Sequence, residues 1–258
     1  MTAAPRPVVL LASDGAATRI IYHALAREFP RVEVVLERRL SKVGIFRRRM
    51  RTLGLLTALA QVPFRAGLVP LLAVRAVRRI AAIKAQYRLD DSPIPRMAHR
   101  VKSVNSPEAR EALRALDPIV IAVSGTRIIG RETLHAVDVP FINMHGGITP
   151  LYRGVHGGYW ALVEGRPDLV GSTVHRIDEG IDTGAVLAQA RFDITDQDSF
   201  ATYPYLHTAV GIPLLIAAVR DACNNRLDRG RAVALPSRLR THPTIWQYLR
   251  NWWTTGVK

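Results

Sequence analysis

An unbroken apolar run, Val8 to Ala12, leads into Ser13-Asp14-Gly15. Helical spacing follows over Ala16 to Phe29, with Ile20, Ile21, Leu25 and Phe29 turned inward, and a second apolar run spans Val32 to Leu36. A strand with one wet face alternates apolar and polar residues, whereas a continuous run marks a strand covered on both faces. Run, Gly-containing turn, helix and run therefore predict a β-α-β unit, and with it a parallel sheet enclosed by helices. The Ser-Asp-Gly turn lacks the full glycine fingerprint of a phosphate loop and is a weak ligand signal.

The same pattern resumes after residue 100. Val101 to Val104 reads as a short strand, Pro107 to Leu116 as a helix rich in Glu, Ala and Leu, and Ile119 to Val123 as a buried strand ending at Ser124-Gly125. Leu134 to Ala136 closes a brief helix, and Phe141 to Met144 is a strand with His145 at its carboxyl end. Tyr159 to Gly165 is helical. Ser172 to Ile177 and Gly184 to Phe192 are strands joined by a Gly-rich turn carrying Asp182, and Ser199 to Arg229 is a long helix lying across the sheet. The expected fold class is α/β: an open, mostly parallel Rossmann-like sheet with helices on both faces. Ligands in such sheets bind beyond the carboxyl strand ends, so Gly125 and His145 are expected to share a crevice.

With 258 residues, 48% of them hydrophobic, the chain can bury a full core, and residues 1–258 are expected to form a single domain. The run Val8 to Ala12 is too short for a signal-peptide core. The lone cysteine, Cys223, reads as a small apolar helix residue; it permits no intramolecular disulfide and no thiolate cluster for zinc. No metal site is expected, and the setting that fits is the reducing cytoplasm.

The charge of +15 is concentrated. Arg38 to Arg100 holds 15 Lys and Arg against Asp90 and Asp91, a surplus of 13. Residues 40–96 read as a basic, apolar helical insertion, two or three helices interrupted at Pro63, Gly67 and Pro70. Leu53 to Val74 is long enough to suggest a membrane span, but Arg65 and two prolines near its middle argue against one. A helical hairpin packed on the core, or peripheral contact with an anionic membrane, accounts better for the residues.

Asn143-Met144-His145, then His175, then Asp182 within Asp178-Glu179-Gly180-Ile181-Asp182-Thr183-Gly184, bring together an amide, imidazoles and a carboxylate. These groups can stabilise an oxyanion, move a proton and orient the group that moves it, which suggests acyl transfer. Singly, each has an ordinary reading as a strand-end amide, a core histidine or a turn aspartate. In this order, with Pro150-Leu151-Tyr152-Arg153-Gly154 and Gly171-Ser172-Thr173-Val174-His175 between them, the blocks resemble the catalytic domain of 10-formyltetrahydrofolate-dependent formyltransferases, the family of the glycinamide ribonucleotide, methionyl-tRNA and sugar N-formyltransferases. The resemblance is close from Ile119 to Ala190, extends to Val8 to Leu36, and does not include the basic segment.

The resemblance implies direct transfer of a formyl group to an amine. It makes Asn143, His145 and Asp182 catalytic and gives His175 a supporting role. The folate co-substrate would be held by Ser124, Gly125, Arg127, Ile128 and Ile129 and by the Asp178, Gly180 and Ile181 loop. Arg153 is a candidate for an anionic group on either substrate or for pairing with a carboxylate. Where many relatives have Pro-Ser after the histidine, this chain has Gly146-Gly147, and a glycine-rich surround that is expected to widen the acceptor side and let His156 reach it. A methionyl-tRNA acceptor is disfavoured by the 76 residues that follow Asp182, and glycinamide ribonucleotide by the insertion. A small amine, an amino sugar or a lipid- or carrier-linked amine remains. Two other classes stay open: a formyltetrahydrofolate hydrolase, and a non-catalytic module gripping anionic lipid or, less favoured, RNA.

Overall fold

The computed structural model describes residues 5–94, 98–228, 230–231 and 236–258. The expected β-α-β unit is β1 (Val8–Ser13), α1 (Ala16–Glu28) and β2 (Val32–Glu37), the two strands parallel from Val8 opposite Val32 to Ser13 opposite Glu37. The basic segment then forms α2 (Lys42–Leu53), α3 (Leu55–Pro63), a π-turn at Phe64–Leu68, α4 (Val69–Arg75) and α5 (Val77–Gln86). Next come β3 (His99–Val101), α6 (Pro107–Leu116), β4 (Val120–Ser124), α7 (Arg131–Leu134), β5 (Phe141–His145), β6 (Tyr152–Gly154) and α8 (Gly157–Val163). The chain continues through β7 (Gly171–Arg176), β8 (Val186–Arg191), α9 (Tyr203–Cys223), β9 (Arg238–Arg240) and α10 (Ile245–Thr255). Pro95 and Arg96 at the end of the insertion, and Arg229 at the end of the expected long helix, lie outside the described residues.

Seven strands form one sheet in the order β3-β2-β1-β4-β5-β7-β8. The first five are parallel, and β7 and β8 join antiparallel. Both faces are covered, which explains the unbroken apolar runs. Val8, Leu10 and Ala12 of β1 pack in one cluster with Ile21 and Leu25 of α1 and Leu215 and Val219 of α9. Val9 and Leu11 pack in the other with Ala109 and Leu113 of α6. Burial of side chains on both faces is the main stabilising term in such a layer.

Three expectations are corrected. The strand placed at Val101 to Val104 lies earlier, at His99–Val101, because Val104 is buried against α6 and donates its N–H to the Glu37 carboxylate. The long helix ends at Cys223, where Asn224 caps it and Asn225 turns left-handed. Pro63 and Pro70 do not break the basic segment: Leu55–Arg75 runs as one helix of 21 residues. The helix widens to a π-turn between the prolines, where the Val69 N–H bonds the Phe64 carbonyl, and this eases the ring of Pro70 past the preceding turn. Ala58, Gln61 and Phe64 bury one side of this helix, and Ile83 and Leu89 join Ile20, Leu206 and Ala209 in a satellite core. The parallel β6–β9 pair and α10, with its Thr244/Gln247 capping box, were not anticipated.

Candidate active site

β5 lies where the sheet changes sense, parallel to β4 on one side and antiparallel to β7 on the other. That register sets Asn143 between Val123 and His175. Strand alternation sends Asn143 and His145 to the same face. The loop between β7 and β8 then returns Asp182, in a left-handed conformation at φ 50°, to the same place.

The four groups form one network. The Asn143 amide nitrogen lies 3.1 Å from His175 Nε2 and 3.4 Å from Asp182 Oδ1. His175 Nδ1 donates to the Arg176 carbonyl at 2.8 Å, so its Nε2 is the accepting nitrogen and the amide donates. Asp182 Oδ2 accepts from the Gly154 N–H at 2.9 Å and stands 3.4 Å from His145 Nδ1. His145 Nε2 donates to the Tyr152 carbonyl at 2.7 Å. A second proton on Nδ1 would therefore find an acceptor too, so the surroundings satisfy the imidazolium at both nitrogens.

Burial works against that charge. It holds the His145 pKa below its ordinary value, although the Asp182 carboxylate and the Tyr152 carbonyl pull it upward. Burial pushes Asp182 up, but the neighbouring His175 and His145 rings and the Gly154 N–H outweigh it and keep the carboxyl below the usual range. Gly147 must be glycine here: a Cβ would lie 2.7 Å from both His145 Nε2 and the Tyr152 carbonyl. The glycines at 147 and 157 therefore bring backbones close together, where the sequence suggested a looser surround. A Cβ on Gly157 would stand 2.6 Å from the Gly147 Cα.

A cavity of about 300 Å³ adjoins His145, walled by Ser124, Gly125, Met144, Gly146, His156 and His207 among others. Asn143 and Asp182 are not part of this wall. A basic groove of about 750 Å³ adjoins it through Ser124 and Gly125, and runs past Ser13-Asp14-Gly15 to Arg38, Lys42, Arg48, Arg65 and Arg127.

Of the residues expected to hold a folate, Ser124 and Gly125 line both spaces. Arg127 is in the groove, but its backbone N–H is bonded to Glu37 at 2.7 Å and its guanidinium to the Arg38 carbonyl at 2.7 Å. Ile129 is buried in the α6-side core, so its side chain is not available to a ligand; Ile128 is 45% exposed. Asp178 organises its own loop by accepting from Gly180 N and Thr183 Oγ1. The Ile181 carbonyl accepts from Arg153 at 3.1 Å, and Arg153 Nε donates to Ser237 Oγ. Arg153 thus ties the Asp182 loop to the segment before β9 and pairs with no carboxylate among the described residues, so of its two expected roles the carboxylate pairing is not made. His156 does reach the cavity, in a left-handed conformation, with Nε2 2.8 Å from His242 Nδ1. Burial, then Arg65 and Arg49, push it down to about 3.

Sequence reasoning missed Glu37 and His207. Glu37 is buried and accepts from Ser13 Oγ and from the N–H groups of Val104 and Arg127, joining three strand ends. His207 lines the cavity from α9, is pushed down to about 3 by burial, and has no partner for Nε2 among the described residues. An acidic residue closing an apolar run was a readable signal for Glu37; a histidine inside an apolar helix was none for His207.

A family model described as "Formyl transferase" matches residues 77–216, so the match begins within the basic segment, at α5. Methionyl-tRNA formyltransferase of Anaeromyxobacter sp. (strain K) is 39% identical over 111 residues, 42% of this chain and 35% of that protein. The chain thus spans about a third of the length of such curated relatives (35%). Among solved structures, glycinamide ribonucleotide transformylase 1 from Symbiobacterium toebii superposes with a TM-score of 0.56 at 18% identity, covering 86% of this chain and 89% of that one. The N-formyltransferase from Helicobacter canadensis, crystallised with folinic acid and dTDP-3-aminofucose, gives 0.56 at 15% identity, covering 92% and 71%. At these identities the structural likeness is one of fold. The motif blocks, the mixed sheet and the family match agree that this chain belongs to the formyl transferase family.

Proposed function

We propose that the protein transfers a formyl group from 10-formyltetrahydrofolate to a primary amine. The observation that supports this most directly is the Asn143, His145, His175 and Asp182 network at the end of β5, in a member of this family. The amine attacks the formyl carbon, the bond from that carbon to the folate nitrogen breaks, and the proton lost by the amine ends on that nitrogen. His145 takes and returns the proton at Nδ1, the nitrogen left unprotonated by the Nε2–H bond to Tyr152, with Asp182 beside it to stabilise the charged ring. Asn143 serves the developing oxyanion by exchanging its longer contact, the one to Asp182, while His175 keeps the amide oriented. Ser124 and Gly125, shared by cavity and groove, are the folate contacts that the geometry favours.

The groove fits an acceptor whose amine accompanies an anionic group, such as an amino sugar or a lipid- or carrier-linked amine. Its Arg38, Lys42, Arg48 and Arg65 supply charge along the approach to Ser124 and Gly125. In this reading the enzyme is cytoplasmic, residues 40–96 are an insertion in a single catalytic domain, and they make its peripheral contact with an anionic membrane.

The test is an acceptor screen with 10-formyltetrahydrofolate that follows release of deformylated folate. His145→Ala and Asp182→Asn should each lower transfer by about 100-fold to 10,000-fold, the range for removing a positioned proton-transfer group, with folate affinity retained. Near-normal turnover in both variants would overturn the mechanism. Formate release without any acceptor would instead identify a hydrolase.

A further inference from the structure

We propose that the Leu55–Arg75 helix and α10 form a docking face for an anionic lipid bilayer. Among the described residues, two helices are long and apolar enough to cross a membrane, and they are used differently. In α9, half of the apolar stretch is buried across the sheet; in Leu55–Arg75 the share is 17%. Ala58, Gln61 and Phe64 anchor the second helix, with Gln61 Nε2 donating to the His242 carbonyl at 2.6 Å and Phe64 packed on Phe200 and Tyr248. On the side away from these anchors, Leu55, Leu59, Val62 and Ala66 follow one another at helical spacing, and all are exposed. Leu56 is 82% and Val74 71% exposed.

The neighbouring α10 does the same. It packs against α3 and the π-turn and buries Tyr248, while Trp246, Leu249 and Trp253, spaced i, i+3, i+7, face solvent. Trp253 is 91% exposed, an extreme value for so large an apolar side chain. Aliphatic side chains beside tryptophans suit the boundary between acyl chains and headgroups.

The charge points to the sign of the surface. From Arg38 to Leu89 there is no Asp or Glu, and none in α10. Arg79 and Lys84 pair with Asp198 and Asp91, whereas Arg47, Arg48, Arg51, Arg75, Arg78 and Arg250 have no carboxylate partner among the described residues. A second copy of the chain would bring two such basic faces together, which their repulsion disfavours. RNA would satisfy the arginines and stack on the tryptophans, but it offers nothing to Leu55, Leu56, Leu59, Val62 and Val74. The buried anchors keep the helix on the protein and the charge of Arg65 at its middle opposes insertion, so it lies in the plane of the interface and does not span the bilayer. Lys42, Ile45, Arg48 and Arg65 also wall the basic groove, which places the groove beside the docked headgroups.

The experiment needs no formyl transfer, so it stands or falls separately from the proposed chemistry. The full chain is co-sedimented with vesicles of phosphatidylcholine alone and of equal parts phosphatidylcholine and phosphatidylglycerol, while tryptophan emission is followed. Binding to the mixed vesicles with a blue shift, weakened by salt and weaker on phosphatidylcholine alone, is expected. A Trp246→Ala/Trp253→Ala variant with an unchanged melting temperature should bind about tenfold or more weakly, the scale set by removing two large apolar side chains from an apolar phase. A separate Leu56→Gln variant should weaken binding in the same direction. Wild-type binding that ignores phosphatidylglycerol, or affinity unaltered in both variants, overturns the proposal. So does sedimentation as a dimer with the tryptophans protected, or a preference for RNA over mixed vesicles.

Discussion

His145 lies where burial disfavours its charge and two acceptors stand ready for it. The neutral ring is the form that takes a proton from the amine, and its pKa lies below the ordinary value of 6.5. As pH falls, kcat/KM for the folate measured at saturating amine should therefore hold through 6.5 and decline only where the ring protonates, with the acid limb below that value. A limb at or above 6.5 in a pH-rate profile would mean that another group controls the reaction. The convergence of Asn143, His145 and His175 was legible in the sequence through strand period and the order of the motif blocks, whereas Asp182 reaches them only through the loop after β7. The engagement of their donors was not, since it depends on the left-handed turn at Asp182 and on the backbone of Tyr152 and Gly154. The contacts that Arg153 and Ile129 make were not legible for a similar reason: Ser237 and the α6-side core reach them from distant parts of the chain.

At the scale of elements, the helix Leu55–Arg75 depends on a small anchor. Phe64 is wholly buried, edge-on to Phe200 with ring centres 5.0 Å apart and 5.3 Å from Tyr248. Phe64→Ala should destabilise the fold by about 3–5 kcal/mol, transfer and cavity terms together, seen as a lower denaturation midpoint. A loss of a few tenths would mean that the helix is held elsewhere. Continuous apolar runs disclosed the sheet, because burial on both faces leaves a direct mark in the sequence. The prolines misled for the opposite reason: a π-turn takes them up, and only the tertiary contacts of Phe64 make that turn worthwhile. The capping box at Thr244 and Gln247 was readable ahead of α10, yet three tryptophans there disguise its one buried stripe through Tyr248.

Across the whole molecule, His156, His207 and His242 are held neutral by burial, down to about 3, 3 and 2. Above pH 6.5 neither folded nor unfolded chain protonates them, so they leave stability independent of pH. Below it the unfolded chain takes up protons first, and stability should fall by up to about 1.4 kcal/mol per pH unit for each ring. Urea midpoints measured downward from pH 6.5 should show this decline before the carboxylates begin to titrate, and a flat profile there would contradict the burial. The bond from Gln61 to the His242 carbonyl joins residues 181 positions apart. On a ribosome adding about 5–20 residues per second, the greasy helix around Phe64 emerges roughly ten to forty seconds before its cover at Tyr248 exists. The nascent chain must spend that interval shielded by something else, which makes the timing of synthesis, as well as the finished fold, a constraint on residues 55–75.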